Sequence, residues 1–311
     1  MTPSIAGIRR AAAQLAAYFP PTPLVRAPLL SQRLDADVFI KNETVSPVAS
    51  FKWRGALTDV LRNRDARGVV TSSTGNHGQG VAWAASVAGL PAHIFLPHGA
   101  NLTKRAKIEL LGATIHETGR DLDEAKETAI AFARDEELLF IDDGESVGVI
   151  EGAATVGFEI AGALLHVDSV FVPMGSGSLA GGVALAVKAR HARARVVAVQ
   201  STGSPAMVDS FHARKAIEKP ASTIADGLIC RVPAQLALDT IVRYVDDAVA
   251  IDDESILAAA FLLMTEGHVL VEPSGAAGLA AALRGEIRGR TIVLVATGAN
   301  VTPDVLKRIT A

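Results

Sequence analysis

The chain has 311 residues, with 30 Lys and Arg against 33 Asp and Glu, a net charge of −3. At roughly 150 residues per domain this length predicts two domains or one large α/β unit, able to bury a core without disulfides or metal. Apolar residues at 49% and charged residues at 20% exclude a disordered or collagen-like chain, and the charge balance gives no basic field for nucleic acid or an anionic membrane.

A single cysteine, Cys230, excludes an internal disulfide and a Cys-based zinc cage, and fits a reducing, cytoplasmic setting. No run of about 18 apolar residues is present to span a membrane. The first 21 residues lack the apolar core of a signal peptide.

In chain order, apolar strand-like runs alternate with glycine turns and amphipathic stretches, the pattern of an α/β fold with largely parallel sheets. Asp37–Lys41 reads as a strand and Gly68–Ser72 as the next. Gly78–Val87 follows as a helix stopped by Gly89. His93–Leu96 is a strand, Thr103–Leu111 a helix ending at Gly112, Thr114–His116 a strand, Leu122–Arg134 a helix and Leu138–Ile141 a strand. A second set comprises helix Thr155–Leu165, strand Ser169–Pro173, helix Leu179–Arg190 and strand Val196–Val199. Helices Ser255–Glu266 and Gly275–Leu283 precede the strand Thr291–Ala296, while Asp209–Asp247 carries no clear period. A smaller domain is expected over 46–144, with 1–45 and 145–311 forming the larger one.

Three segments carry chemistry. Pro173–Gly182, PMGSGSLAGG, lies between a strand and a helix. Its small residues let backbone N–H groups close on an anion at a helix N-terminus. A dinucleotide fingerprint is the rival reading, but it wants an acidic residue at the end of the next strand, where Gln200 stands. Ser72–Gly80, SSTGNHGQG, offers the hydroxyls of Ser73 and Thr74 and backbone amides to a carboxylate, and Asn76 to a phenolic oxygen. Taken alone, His77 reads as a capping or core histidine. Ser50–Ala56, SFKWRGA, sets Lys52 between Phe51 and Trp53. Partial desolvation there would favour a free amine able to form a Schiff base with an aldehyde, against the plain alternative of a surface lysine snorkelling over aromatics. Gly144–Gly148, GESVG, matches a nucleophile elbow, but no strong helix is expected after it and no oxyanion loop stands upstream.

Together and in this order, the three segments resemble the fold-type II pyridoxal-phosphate enzymes, closest to the serine/threonine dehydratase and serine racemase branch. The likeness runs from Thr22-Pro23-Leu24 through Lys41-Asn42-Glu43 to Asn300, and includes TIADG at Thr223–Gly227 and EPSG at Glu272–Gly275. It implies a two-domain, tryptophan synthase β-like fold with mostly parallel sheets and helices on both faces. It also implies pyridoxal 5'-phosphate as cofactor, an amino-acid substrate and a homodimer.

By the same resemblance, Lys52 falls on the Schiff-base lysine and Phe51 beside it on the cofactor site. Asn76 would meet the phenolic oxygen, and Gly175, Ser176, Gly177, Ser178 and Leu179 would hold the phosphate. ATGAN puts Thr297 opposite the pyridine nitrogen. Ser73, Thr74, Asn76 and His77 would surround the substrate carboxylate. Lys52 would take the Cα proton, and Thr74 sits where racemases carry an opposite-face serine base. A neutral Thr297 disfavours transamination and suits β-elimination. The implied reaction is dehydration and deamination of a β-hydroxy amino acid such as threonine or serine to a 2-oxo acid and ammonia. A 3-hydroxyaspartate or phenylserine-type substrate, β-replacement and racemization are the alternatives. A nicotinamide oxidoreductase and a non-catalytic binding protein are the readings from other classes.

Relatives with a divalent metal site carry acidic residues where this chain has Gln200 and Ala206, with Ser204 between, so no metal is expected. Cys230 and His93, His98 and His116 are read as structural. Asp142-Asp143, Asp246-Asp247 and Asp252-Asp253 are read as solvated loop charges, with Asp142-Asp143 near the expected cleft.

Overall fold

A computed structural model describes residues 1–100 and 102–311. Ten strands are formed: β1 Leu24–Arg26, β2 Asp37–Asn42, β3 Val69–Ser72, β4 Ala92–Leu96, β5 Thr114–Glu117, β6 Leu139–Phe140, β7 Ser169–Pro173, β8 Arg195–Ser201, β9 Asp247–Ile251 and β10 Thr291–Ala296. They make two sheets. One has six strands in the order β1-β2-β10-β7-β8-β9, and the other four in the order β5-β4-β3-β6. Every pairing is parallel except β1 with β2. The chain is thus α/β with mostly parallel sheets, and the four-stranded sheet draws only on residues 69–140.

Strand β7 is buried at every position because helices cover both faces of its sheet. Alternation sorts its side chains. Val170 and Val172 pack with Val183 and Ile160 on one face, while Phe171 packs with Leu279, Leu263 and Ile256 on the other. Both faces need apolar residues, so the strand reads as a continuous apolar run.

Eight of the ten strands and the helices assigned from the sequence fall close to where it placed them, whereas β1 and β9 were not anticipated. Helices Ile5–Leu15, Pro28–Leu34, Lys52–Arg62, Pro303–Thr310 and Val147–Ala153 were not anticipated. The last corrects the reading of GESVG: a helix does follow it. Its sequence, VGVIEGA, is short, glycine-containing and β-branched, so propensity is weak. Burial of Val149, Ile150 and Ala153, and an N-cap in which Ser146 Oγ accepts from Val149 N at 3.2 Å, stabilise it instead. Ser146 is a cap, not a nucleophile. Asp209–Asp247 proves to be helix Ala206–Ala213, a long irregular segment and helix Gln235–Tyr244, leading into β9.

A charged network is sealed where the N-terminal segment, β2 and the Lys52–Arg62 helix meet. Arg54 is fully buried and donates to Glu43 (2.8 and 3.0 Å) and Glu159 (2.6 and 2.9 Å), with further bonds to Thr155 and Thr22. Lys41 donates to Glu159 at 2.5 Å and to the Thr22 carbonyl at 2.6 Å. Two cations face two anions. Burial alone would lower the Arg54 guanidinium, but Glu43 and Glu159 outweigh it and raise it above its ordinary value. The Thr22 and Lys41–Glu43 segments that carry the family resemblance are therefore the walls of one ion cluster.

Removing one partner strands a buried charge, which costs about 3–5 kcal/mol. Arg54→Met is expected to lower the unfolding free energy by that amount in urea denaturation. Arg120→Met, which breaks the exposed pair with Glu124, should leave the midpoint nearly unchanged. Equal midpoints for the two variants would contradict the assignment.

Candidate active site

The three glycine-containing segments converge at the carboxyl ends of strands, where open α/β sheets place ligands. Asn76–Ala88 begins after β3, and Ser178–Lys188 after β7. Lys52 opens the helix Lys52–Arg62 and is tied to the segment after β10. Ser50 bridges Gly298, Phe51 N donates to Thr297 O at 3.0 Å, and Ala299 N donates to Ala49 O at 2.8 Å. These bonds hold Ala49 in a left-handed conformation, φ 50°, at a cost on the order of 1–3 kcal/mol. Gly80 completes the seat: a Cβ there would lie 2.9 Å from the Lys52 carbonyl carbon, so a side chain would push the lysine helix away.

The Lys52 amine is mostly buried. It lies 4.9 Å from the Phe51 ring centroid and donates to Asp143 Oδ2 at 2.5 Å. Trp53 does not flank it. Its ring turns into the core between Phe19 and Trp83, in edge contacts at 5.7 and 5.8 Å. Asp143 corrects the reading of a solvated loop charge. Its Oδ2 also accepts from Ser176 Oγ at 2.9 Å, and its Oδ1 sits 3.5 Å from His77 Nδ1. Burial would raise this carboxyl, but the Lys52 ammonium beside it, helped by the Ser176 hydroxyl, overrides it and holds it well below the usual carboxylate range. Asp142 pairs with Lys126 at 2.6 Å and caps Gly144 N and Glu145 N. The other acidic pairs are also engaged. Asp246 and Asp247 bind Lys188 and Arg195, Asp252 caps a helix, and Asp253 accepts from Ser201, Thr223 and Ile224 N, anchoring the TIADG segment.

The turn after β7 has the form of an anion cradle. Gly177 caps the helix with φ 95°, which a side chain rarely adopts. A Cβ on Gly175 would lie 2.5 Å from Gly227 O. The amides of Gly175, Ser176 and Gly177 have no protein acceptor among the described residues, and the Ser176 and Ser178 hydroxyls stand 3.3 Å apart. Leu179 is buried behind them. Free amides, two hydroxyls and a helix N-terminus are the donor set a phosphate needs, so these residues fit the cofactor that the resemblance implies.

Of the expected carboxylate shell, Ser73, Thr74 and Asn76 are partly exposed, while His77 is buried. Ser73 Oγ accepts from Gly75 N at 3.2 Å. The Asn76 amide donates to Glu272 Oε1 at 2.6 Å and accepts from Asn300 Nδ2 at 2.7 Å. His77 Nε2 meets Ile141 O at 3.2 Å. Burial lowers its pKa, against the pull of Asp143, so the ring is neutral near pH 7. Burial pushes Glu272 up, although Asn76 opposes this. Thr297 is buried beside Phe51.

Gln200 spends its side chain on Leu228 O and Val208 N, and Ser204 on Cys230. Cys230 is buried, and burial pushes its thiol up to about 12. His93 and His116 contact each other at 3.0 Å beside Phe95 and Phe132. Sequence reasoning missed Asp143 and Glu272 as site residues. The available signal for Asp143 was its place just past a strand that pairs in parallel with β3.

A family model described as pyridoxal-phosphate dependent enzyme matches residues 16–298. An L-threonine ammonia-lyase of Thermotoga maritima is 35% identical over 295 residues, covering 93% of this chain and 73% of that protein. A catabolic L-threonine dehydratase of Staphylococcus aureus is 30% identical over 308 residues, covering 96% and 89%. Among solved structures, maize serine racemase superposes with a TM-score of 0.93 at 31% identity, covering 100% of this chain and 97% of that one. The processed threonine deaminase isoform 2 of Solanum lycopersicum gives 0.90 at 30%, covering 99% and 94%.

Two outcomes are expected from this geometry. Gly175→Ala displaces the cradle against Gly227 O, an overpacking of about 1–3 kcal/mol, and should weaken cofactor binding about tenfold or more in a visible-absorption titration. Unchanged affinity would contradict the cradle. The folded-state pKa of His77 lies below its ordinary 6.5, so the folded state binds fewer protons than the unfolded chain as pH drops beneath that value. His77 therefore contributes stability that is present above pH 6.5 and lost as pH falls toward its folded pKa. In His77→Gln that part of the acid limb should flatten in denaturation midpoints, and an equally steep curve would speak against the buried neutral ring.

Proposed function

The chain belongs to the pyridoxal-phosphate dependent enzyme family, and from that premise we propose that it dehydrates and deaminates a β-hydroxy amino acid, with threonine and serine as the first candidates, to a 2-oxo acid and ammonia. It is an ammonia-lyase of the serine/threonine dehydratase branch. The observation that carries the reading is the meeting of the Lys52 amine with the Gly175–Leu179 cradle, bridged by Asp143 and Ser176.

Lys52 would hold the cofactor aldehyde, with Phe51 beside it. Gly175, Ser176, Gly177, Ser178 and Leu179 would hold its phosphate, Asn76 its phenolic oxygen and Thr297 its ring nitrogen. When bound, the cofactor supplies an electron sink for the charge that develops at Cα. The residues do the rest. Ser73, Thr74 and Asn76 offer hydroxyl and amide donors that orient the substrate carboxylate. His77, buried and neutral, braces the loop beneath them, a role at one remove from the substrate. Freed when the substrate amine takes its place, the Lys52 amine would take the Cα proton, and hydroxyls at the phosphate end of the cleft would protonate the departing oxygen. Thr297 is uncharged, so it places no anion against the ring nitrogen, which suits elimination over transamination.

The two-sheet division supports a large cofactor domain of 1–45 and 145–311 and a small mobile domain of 46–144 that closes on substrate. The family resemblance supports a homodimer. The lone buried Cys230 suits a cytoplasmic setting. Among the described residues no helix is long and apolar enough to cross a membrane.

The test is 2-oxo acid release by the cofactor-loaded enzyme from L- and D-serine, L- and D-threonine, the 3-hydroxyaspartates and phenylserine. Release from at least one is expected. Lys52→Ala should lose about 10³-fold or more of that turnover with its unfolding transition retained. Unchanged turnover in that variant would sink the proposal.

A further inference from the structure

Glu272 has no part in the proposed function, yet it grips the amide assigned there to the cofactor's phenolic oxygen. It is buried just before the helix Pro273–Leu283, and its backbone N–H donates to Gly298 O at 2.9 Å. A Cβ on Gly298 would lie 2.8 Å from Glu272 Oε1, so the glycine leaves room for the carboxyl group. That oxygen accepts from Asn76 Nδ2 at 2.6 Å.

The direction of this bond is fixed from the far end of a chain of side chains. An ammonium only donates, so Lys107 Nζ, 2.8 Å from Asn300, turns the Asn300 amide oxygen toward itself. Asn300 Nδ2 then donates to Val48 O at 2.9 Å and to Asn76 Oδ1 at 2.7 Å. Asn76 thus spends its oxygen on Asn300 and turns its NH2 group toward Glu272. Reversed, its oxygen would face Oε1 and its NH2 group would face that of Asn300, two contacts without a hydrogen bond. Burial pushes the Glu272 carboxyl up, with Asn76 and then Lys104 opposing. A carboxyl group keeps an accepting oxygen whether or not it holds a proton, so the order of donors does not depend on its charge. One N–H of Asn76 is committed to Glu272, and among the described residues the other has no acceptor.

We infer that Glu272 is a positioning residue, which by accepting one N–H of Asn76 aims the other at the phenolic oxygen of the cofactor and favours that oxygen as its anion. The role rests on the proposed place of Asn76 at that oxygen. A hydrogen bond donated to the charged form of a group favours that form, and an amide carbonyl in the same place would oppose it. Lysine-bound cofactor absorbs in the visible with this oxygen ionised and in the near ultraviolet with it protonated, so the effect has a spectral signature.

The test is the absorption spectrum of the enzyme saturated with cofactor, at one pH, without substrate. Asn76→Ala removes the donor and should lower the visible to near-ultraviolet ratio about tenfold or more, as expected for losing a hydrogen bond to a charged group. Glu272→Gln keeps an accepting oxygen in place without the charge, and should hold the ratio within about twofold of wild type. Glu272→Asp keeps the charge but withdraws the oxygen by one methylene, and should lower the ratio about threefold or more. Adding Glu272→Asp to Asn76→Ala should lower it no further, because Glu272 acts through Asn76. A folded Glu272→Asp enzyme with the wild-type ratio would overturn the inference. So would a Glu272→Gln enzyme as impaired as Glu272→Asp, which marks charge and not position, or a double variant in which the two effects add. If Asn76→Ala itself keeps the wild-type ratio, the place of Asn76 at the phenolic oxygen fails and the role of Glu272 fails with it. A shift in Asn76→Ala with none in Glu272→Asp removes only the role of Glu272.

Discussion

The place of Lys52, the lysine proposed to hold the cofactor, is set two residues further on, by a guanidinium that never meets solvent. Arg54 is clamped by Glu43 at the end of β2 and by Glu159 on the helix Thr155–Ala163. It lies in the first turn of the helix that Lys52 opens, so the clamp fixes where that helix begins and which way it runs. An isolated buried ion pair stabilises little. A closed set of two cations and two anions, each further bonded to Thr22 or Thr155, instead admits one arrangement of four chain segments. The Lys52 helix cannot slide without stranding a charge.

Around the fixed lysine, the cleft is built by backbone approach and by charge. Gly80 lets the Asn76 helix meet the Lys52 carbonyl, and the Ala49–Phe51 strap is stitched to Thr297–Ala299 by backbone bonds. Asp143 arrives from the end of β6 and Ser176 from the end of β7, so one small network joins both sheets. Its elements come from segments more than a hundred residues apart. That is why the chemistry depends on the fold as a whole and not on any single motif.

Much of this was legible in the sequence. Strands buried on both faces appear as continuous apolar runs, as in SVFVP and TIVLVA. Glycine turns between such runs and helices point to the carboxyl edge of a parallel sheet, where ligands bind. Lys52, Asn76 and the Gly175–Leu179 turn stood out only together, through the resemblance their motifs carry, since a lysine beside aromatics alone also reads as a surface residue. Helix Val147–Ala153 was not readable, since tertiary burial holds it against weak propensity. Asp143 and Asp253 looked like surface charges because an aspartate in a loop carries no period. Only the approach of Lys52, Ser176, Ser201 and Thr223 from distant segments gives them their roles. Arg54 was hidden for the same reason, its four main partners being spread from residue 22 to residue 159.

The central claim is that Lys52 is the residue that bonds the cofactor in this cleft. The direct measurement is borohydride reduction of the cofactor-loaded protein, followed by proteolysis and mass spectrometry of the labelled peptide. The account predicts the cofactor mass on Lys52, in the segment SFKWR, and on no other lysine. A label on Lys41, Lys104 or Lys107, or a reduced protein that carries none, would contradict it.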